Sequence, residues 1–323
     1  MPEAPSDTAR RYDGTTYYGR PQLNQAPFEN LVVGSYVFIA GLSGAAQMLA
    51  TLAEICGVRH SAGLVRRGRY LALLAPVVGA PLLIYDLHTP QRFYNMLRIF
   101  RRTSPMSIGT WLLMGFSAAS GAAAVCQAAA DLFGWRWPRR FARAAQVPAA
   151  ITGAGLATYT AGLLSATSTP LWAAAPRALA VRFGSSSIAA GAAALALAER
   201  RRGSPRIARD LDTIKLAALA AEFAAARAST ATYRRKGISA AQTAIPAAVI
   251  ETLGGQGLGV LVPFALHLAG RALVRRPASA ASIATLIGSL CLRVGVMSAG
   301  DASARNPQDS LRLAQPEHLS GRG

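Results

Sequence analysis

Tyr36, Asp86, His88 and Tyr159 are the side chains of this 323-residue sequence whose types best suit bond chemistry. Tyrosine and histidine donate hydrogen bonds, and carboxylate and imidazole take up protons. A small molecule with two carbonyl oxygens needs a donor for each, and its reduced form needs a proton acceptor when it is oxidised. The four residues supply both functions, with Asp86 and Tyr159 as the catalytic candidates. Each also has a structural alternative: an interfacial-belt role for a tyrosine, and for Asp86 a helix cap or an ion pair with Arg92.

Two further constellations carry charge. Between His88 and Ser107, Arg92, Arg98, Arg101 and Arg102 alternate with Phe93, Tyr94 and Phe100. Such a stretch can lie on lipid headgroups as an amphipathic helix, form a solvated face, or dock an acidic partner. Arg177, Arg182, Glu222, Glu251 and Arg293 fall inside apolar segments, where ionisable groups are costly and are paired or functional. Pairs such as Glu222 with Arg293 or Glu251 with Arg182 are one reading, and a proton or ion path is the other. Metal chemistry is disfavoured. Cys56, Cys126 and Cys291 are far apart with no C-x-x-C, and His267 is the only histidine well inside an apolar segment. Neither an iron–sulfur cluster nor a two-histidine haem is expected.

The elements that must position these groups are membrane helices. The composition is 52% hydrophobic and 15% charged, far below the charge of an ordinary soluble domain. A span needs about 20 mostly apolar residues. Eight stretches qualify: Leu31 to Glu54, Tyr70 to Leu87, Ser107 to Asp131, Val147 to Ser165, Leu171 to Ala198, Leu211 to Thr230, Ile245 to Leu268 and Ser279 to Gly300. The sixth carries Asp212, Lys215, Glu222 and Arg227 and is the least apolar. Proline-containing turns such as Arg102-Thr103-Ser104-Pro105, Trp137-Pro138 and Ser168-Thr169-Pro170 separate them. Gly41-x-x-Gly44 and Gly255-x-Gly257-x-Gly259 follow no strand, so they read as close helix packing rather than phosphate loops.

The net charge of +19 would suit nucleic acid, but the apolar runs reach membrane-spanning length, which excludes that class. Residues 1–29 lack the apolar core of a signal peptide. Arginine clusters at Arg66, Arg67, Arg139, Arg140, Arg200 to Arg202, Arg275 and Arg276 fall in odd-numbered loops, which the positive-inside rule puts in the cytoplasm, with both termini outside. In that arrangement Tyr36, Asp86 and Tyr159 reach one membrane level from three different helices.

The sequence resembles the NrfD/PsrC (polysulfide reductase type) membrane subunits of molybdopterin oxidoreductase complexes. The resemblance rests on Tyr17-Tyr18-Gly19-Arg20-Pro21, on Gly41-Leu42-Ser43-Gly44, and on the run from Asp86-Leu87-His88-Thr89-Pro90-Gln91-Arg92-Phe93 through Thr103-Ser104-Pro105-Met106-Ser107 to Trp111. Tyr159-Thr160, Pro170-Leu171-Trp172, Leu292-Arg293 and Ala299-Gly300 extend it over most of the chain.

The resemblance implies an all-α, polytopic membrane protein of about eight transmembrane helices in two four-helix bundles. Residues 30–166 form the first, quinone-binding bundle and 167–300 the second, between extramembrane segments 1–29 and 301–323. It further implies a quinone-reactive anchor in a bacterial plasma (inner) membrane. The anchor exchanges electrons with a ferredoxin-like iron–sulfur subunit, itself in contact with a molybdopterin catalytic subunit of polysulfide, nitrite or formate type. Menaquinone or ubiquinone is the expected ligand, held by Tyr36, Asp86, His88 and Tyr159, with Arg92, Arg98, Arg101 and Arg102 docking the partner. The alternative class is a secondary transporter, which would suit the intramembrane Glu and Arg residues. Its expected sign, helix interruptions repeated at matching places in two halves, is missing.

Overall fold

A computed structural model of the chain describes residue 23 and residues 29–87, 90–238, 247–269 and 277–314. Among the described residues the secondary structure is helical, without strands. Eight long helices dominate: α1 (Asn30–Ile55), α2 (Ala62–Tyr85), α3 (Pro105–Phe133), α4 (Arg136–Ser165), α5 (Pro176–Arg202), α6 (Pro205–Arg235), α7 (Ala247–Ala269) and α8 (Pro277–Arg305). A short α9 (Pro307–Leu313) follows. Seven of the long helices, all but α6, are long and apolar enough to cross a membrane. The protein is a multi-pass, all-α membrane protein.

The departures from the sequence reading have local causes. α2 starts at Ala62 rather than near Tyr70, because Arg66, Arg67 and Arg69 lower the hydropathy of its first turns although they are helical. Past Leu71 it loosens into a π turn over Ala75–Gly79, where Pro76 lacks the amide an α-helix would use. α4 starts at Arg136 rather than Val147. Trp137-Pro138 is therefore no break, since a proline in a first turn displaces no intrahelical bond. The break lies at Gly134, whose left-handed φ of 69° closes α3 with its amide on the Ala130 carbonyl. The fifth stretch divides at Ala175 into a short helix, Pro170–Ala174, and α5. α7 contains a π-helical run over Ile250–Leu261.

α6 is not apolar enough to count as a span because it carries many charged residues: Arg206, Arg209, Asp210, Arg227, Arg234 and Arg235 are exposed, whereas Asp212, Lys215 and Glu222 face inward. Lys215 and Asp212 are buried and bonded to each other at 2.8 Å, Lys215 reaches Ser282 on α8 at 3.1 Å, and Asp212 also pairs with Arg200 on α5. Once satisfied in this way, charged groups can sit in a helix that packs along α5.

Small residues bring the helix axes together. Gly44 on α1 meets the backbone of Gly153 on α4, Gly191 on α5 meets Ala45 and Ala46, and Gly259 on α7 lies against Gly288 on α8. α1 touches helices from both halves of the chain, and one apolar core running through Tyr36, Phe116, Leu156, Phe183 and Leu292 crosses both. Large apolar residues such as Leu31, Val125, Ile151, Val181 and Leu253 remain on the outside, as a lipid-facing surface requires.

Candidate functional site

Helix direction alternates, so the start of α1, the end of α2, the start of α3 and the end of α4 share one level of the molecule. A cleft opens there. Tyr36 (α1), Asp86 (just past α2) and Tyr159 (α4) all line it, together with Gly109, Met106 and Thr160. The cleft is narrow, with about 50 Å³ of open interior, and its walls are mainly apolar (Val33, Val37, Leu83, Leu163, Met297). Tyr36 is buried and Tyr159 is half-buried, and the two lie within electrostatic reach of each other. Among the described residues neither phenol has a protein hydrogen-bond partner, which leaves both hydroxyls for an occupant of the cleft.

Gly109 shapes the cleft and was invisible to side-chain reasoning because it contributes none. A Cβ built on it would stand 2.1 Å from the Tyr159 ring and 2.4 Å from its hydroxyl. The missing side chain on α3 is the slot into which the Tyr159 ring fits.

Asp86 has both a structural partner and an open side. One oxygen accepts the amide of Glu29 at 3.1 Å, tying the end of α2 to the residue that opens α1, and the half-buried carboxyl also faces the cleft. The carboxyl thus caps a neighbouring helix rather than its own, and the described ion pairs do not include Asp86 with Arg92. His88 lies outside the described residues, as does the Tyr17 to Pro21 segment.

The arginine-rich connection borders the same cleft. It turns through Pro90–Arg92 and Asn95–Arg98, and Met96 and Met106 from this segment line the cleft wall. Arg92, Arg98, Arg101 and Arg102 are all exposed, alongside exposed Phe93, Tyr94, Ile99 and Phe100. Ser107 holds the segment against α3, accepting the Arg101 amide at 3.0 Å and donating to the Ile99 carbonyl at 3.2 Å.

This chain belongs to the NrfD family. The family model described as "Polysulphide reductase, NrfD" matches residues 20–303 and so covers the cleft, the arginine segment and the eight long helices up to the last two residues of α8. No individual curated protein matches the chain. Membership of the NrfD family makes it a membrane subunit of the polysulphide reductase type.

The intramembrane charges lie apart from the cleft. Arg182 on α5 pairs with Glu251 on α7 at 2.7 Å. Arg293 on α8 does not pair directly with Glu222. Its terminal nitrogens are taken by the hydroxyls of Ser186 (3.2 Å), Ser187 (2.7 Å) and Ser289 (2.6 Å), and its guanidinium lies over the Phe38 and Phe183 rings. Glu222 is buried within electrostatic reach of both arginines. Among the described residues no group of three His, Cys, Asp or Glu side chains is arranged to hold a metal ion.

Proposed function

We propose that the cleft between α1, α2, α3 and α4 is the quinone site of a membrane anchor that links the quinone pool of a bacterial inner membrane to a peripheral iron–sulfur and molybdopterin oxidoreductase. The convergence of Tyr36, Asp86 and Tyr159 on one cleft carries this reading. The three come from different helices, and the rest of the lining is apolar enough for a ring and its isoprenoid tail.

A bound quinone supplies two-electron, two-proton chemistry, and the residues of this chain supply the rest. Tyr159, held in its slot by Gly109, donates to one carbonyl oxygen, and Tyr36 offers a second donor from across the cleft. Asp86 accepts a proton through the oxygen not committed to the Glu29 amide and passes it outward, since the half-buried carboxyl stands at the level of the helix ends. His88, next but one in sequence, is the proposed relay to water. Methionines and leucines keep bulk water from the ring. The exposed arginines at the rim dock the iron–sulfur subunit beside the same cleft, which keeps the electron path short.

The test is quinol-dependent turnover of the assembled complex, measured beside turnover of its catalytic subunit with an artificial electron donor or acceptor. Tyr159→Phe removes one hydroxyl at nearly constant volume and should cost roughly fivefold to a hundredfold in quinol turnover. Asp86→Asn should depress turnover more than quinone binding. Both substitutions should leave the artificial reaction at the wild-type rate. Wild-type quinol activity in both variants refutes the assignment.

A further inference from the structure

The ends of α1 and α3 and the starts of α2 and α4 enclose a second cavity at the opposite level of the molecule from the cleft. It measures about 520 Å³, and its charged lining is Glu54, Arg66, Arg69, Asp131, Arg139 and Arg143. Four guanidinium groups face two carboxylates. Arg69 is the fixed floor: it is buried, bonded to Glu54 at 2.9 Å, Gln127 at 2.5 Å and Gln146 at 2.8 Å. Arg66 and Arg143 are different. Each meets its carboxylate through Nε, to Asp131 and to Glu54 respectively, both at 2.8 Å; Arg66 also hydrogen-bonds Tyr70, and the exposed Arg143 fork extends past Glu54 toward the mouth. Arg139 is exposed and has no carboxylate partner among the described residues.

Planar guanidinium forks gathered around an open cavity are the donor set that receives a phosphate group. The depth of the cavity identifies the source of that phosphate. Phe133, Trp135, Trp137 and Phe141 form a continuous exposed ladder at the α3–α4 turn, with successive ring centroids 5.0, 6.2 and 5.7 Å apart. Exposed Trp and Phe at helix ends mark the headgroup level of a bilayer. The ladder and the cavity are both at this turn, so the guanidinium groups lie at the depth where lipid phosphates are found.

We propose that this cavity is a binding site for the phosphate of an anionic phospholipid, held by Arg139, Arg143 and Arg66. The excess of two positive charges in the lining favours a lipid of net negative charge over a zwitterionic one. The site is separate from the quinone cleft, and nothing in its argument depends on that cleft.

The experiment is native mass spectrometry of the full chain from detergent, titrated with phosphatidylglycerol, with phosphatidylcholine and with inorganic phosphate. The expected result is a retained phosphatidylglycerol adduct and a much weaker phosphatidylcholine one. Each arginine near an anionic lipid contributes about fivefold in affinity, so Arg139→Gln should weaken phosphatidylglycerol about fivefold and the double variant with Arg143→Gln roughly thirtyfold. Arg139→Gln breaks no contact of the fold, which keeps the test readable if the double variant unfolds. Arg177→Gln removes the same charge at the other end of the molecule and should change nothing. Undiminished lipid binding in Arg139→Gln, or an equal loss in Arg177→Gln, overturns the proposal. An inorganic phosphate adduct that displaces the lipid overturns it also, by making the cavity a site for a free anion.

Discussion

Gly109→Ala is the sharpest perturbation of the proposed quinone site, because it adds one methyl group and removes no polar atom of the site. The added carbon would stand 2.1 Å from the Tyr159 ring. Carbon atoms rest at about 3.5 Å or more, so the ring must retreat by about 1.4 Å. α3 and α4 are among the most extensively packed helix pairs of the molecule, so the phenol swings before the helices part. Helix propensity works in the other direction, since alanine is better than glycine in a helix interior by about 1 kcal/mol. A loss of function therefore cannot be assigned to a weaker α3. A misplacement of about 1 Å in a reacting constellation costs on the order of a hundredfold in rate. Quinol turnover of the assembled complex should fall by tenfold to about a hundredfold, with the artificial-donor rate unchanged. The control is Gly115→Ala on the same helix, where the new carbon meets only Thr152 at 3.3 Å and little should change. An assembled Gly109→Ala complex with wild-type quinol kinetics would refute both the slot and the role given to Tyr159.

Reversing Arg98, Arg101 and Arg102 to glutamate should release the iron–sulfur subunit in a pull-down while the anchor stays in the membrane, because all three are exposed. Reporter fusions after Arg276 should score as cytoplasmic and fusions after Gly300 as external; the reverse pattern puts the arginine rim and its partner in the cytoplasm. Burial pushes the carboxyl of Asp309 in α9 up to about 6, against the opposing effects of Arg312 and Asn306. A carboxyl raised on folding stabilises fully below its unfolded value near 4, and that contribution is lost as pH rises through about 6. The protection of the α9 amides, corrected for the intrinsic rise of exchange with pH, should therefore fall between about pH 4 and about 6 in the wild type, and in Asp309→Asn it should stay level across that range.

The level of each candidate along the membrane normal was legible from counting residues out from helix ends, which is why Tyr36, Asp86 and Tyr159 line one cleft. What a helix count does not provide is azimuth. The Gly109 slot, the exchange of Glu222 for three serines around Arg293, and the reach of Met96 and Met106 into the cleft wall depend on which face each helix turns inward. Hydropathy also misled at the ends. Arg66 and Arg69 read as loop cations because charge signals water, yet they lie in α2, and Arg69 is buried against two glutamines and a glutamate. Gln127 and Gln146 gave no signal, because an uncharged amide forms no motif and its partner is set by which face of α3 and α4 it occupies.

The position of α1 has a consequence for how the chain is made. Asn30 Nδ2 donates to Asp301 Oδ2 at 2.8 Å across a separation of 271 residues, and Gly34 lies directly against Val294. A ribosome adding about 5 to 20 residues per second needs roughly 15 to 55 seconds to reach the far partner of that bond after the near one is complete. Throughout that interval the Asn30 and Gly34 part of α1 waits in the bilayer for α8, although its Gly44 part can already meet α4. Insertion and final assembly are therefore separate events for this chain: a nascent protein stalled before α8 should be inserted yet open to membrane proteases, and protection should come only when the last span arrives.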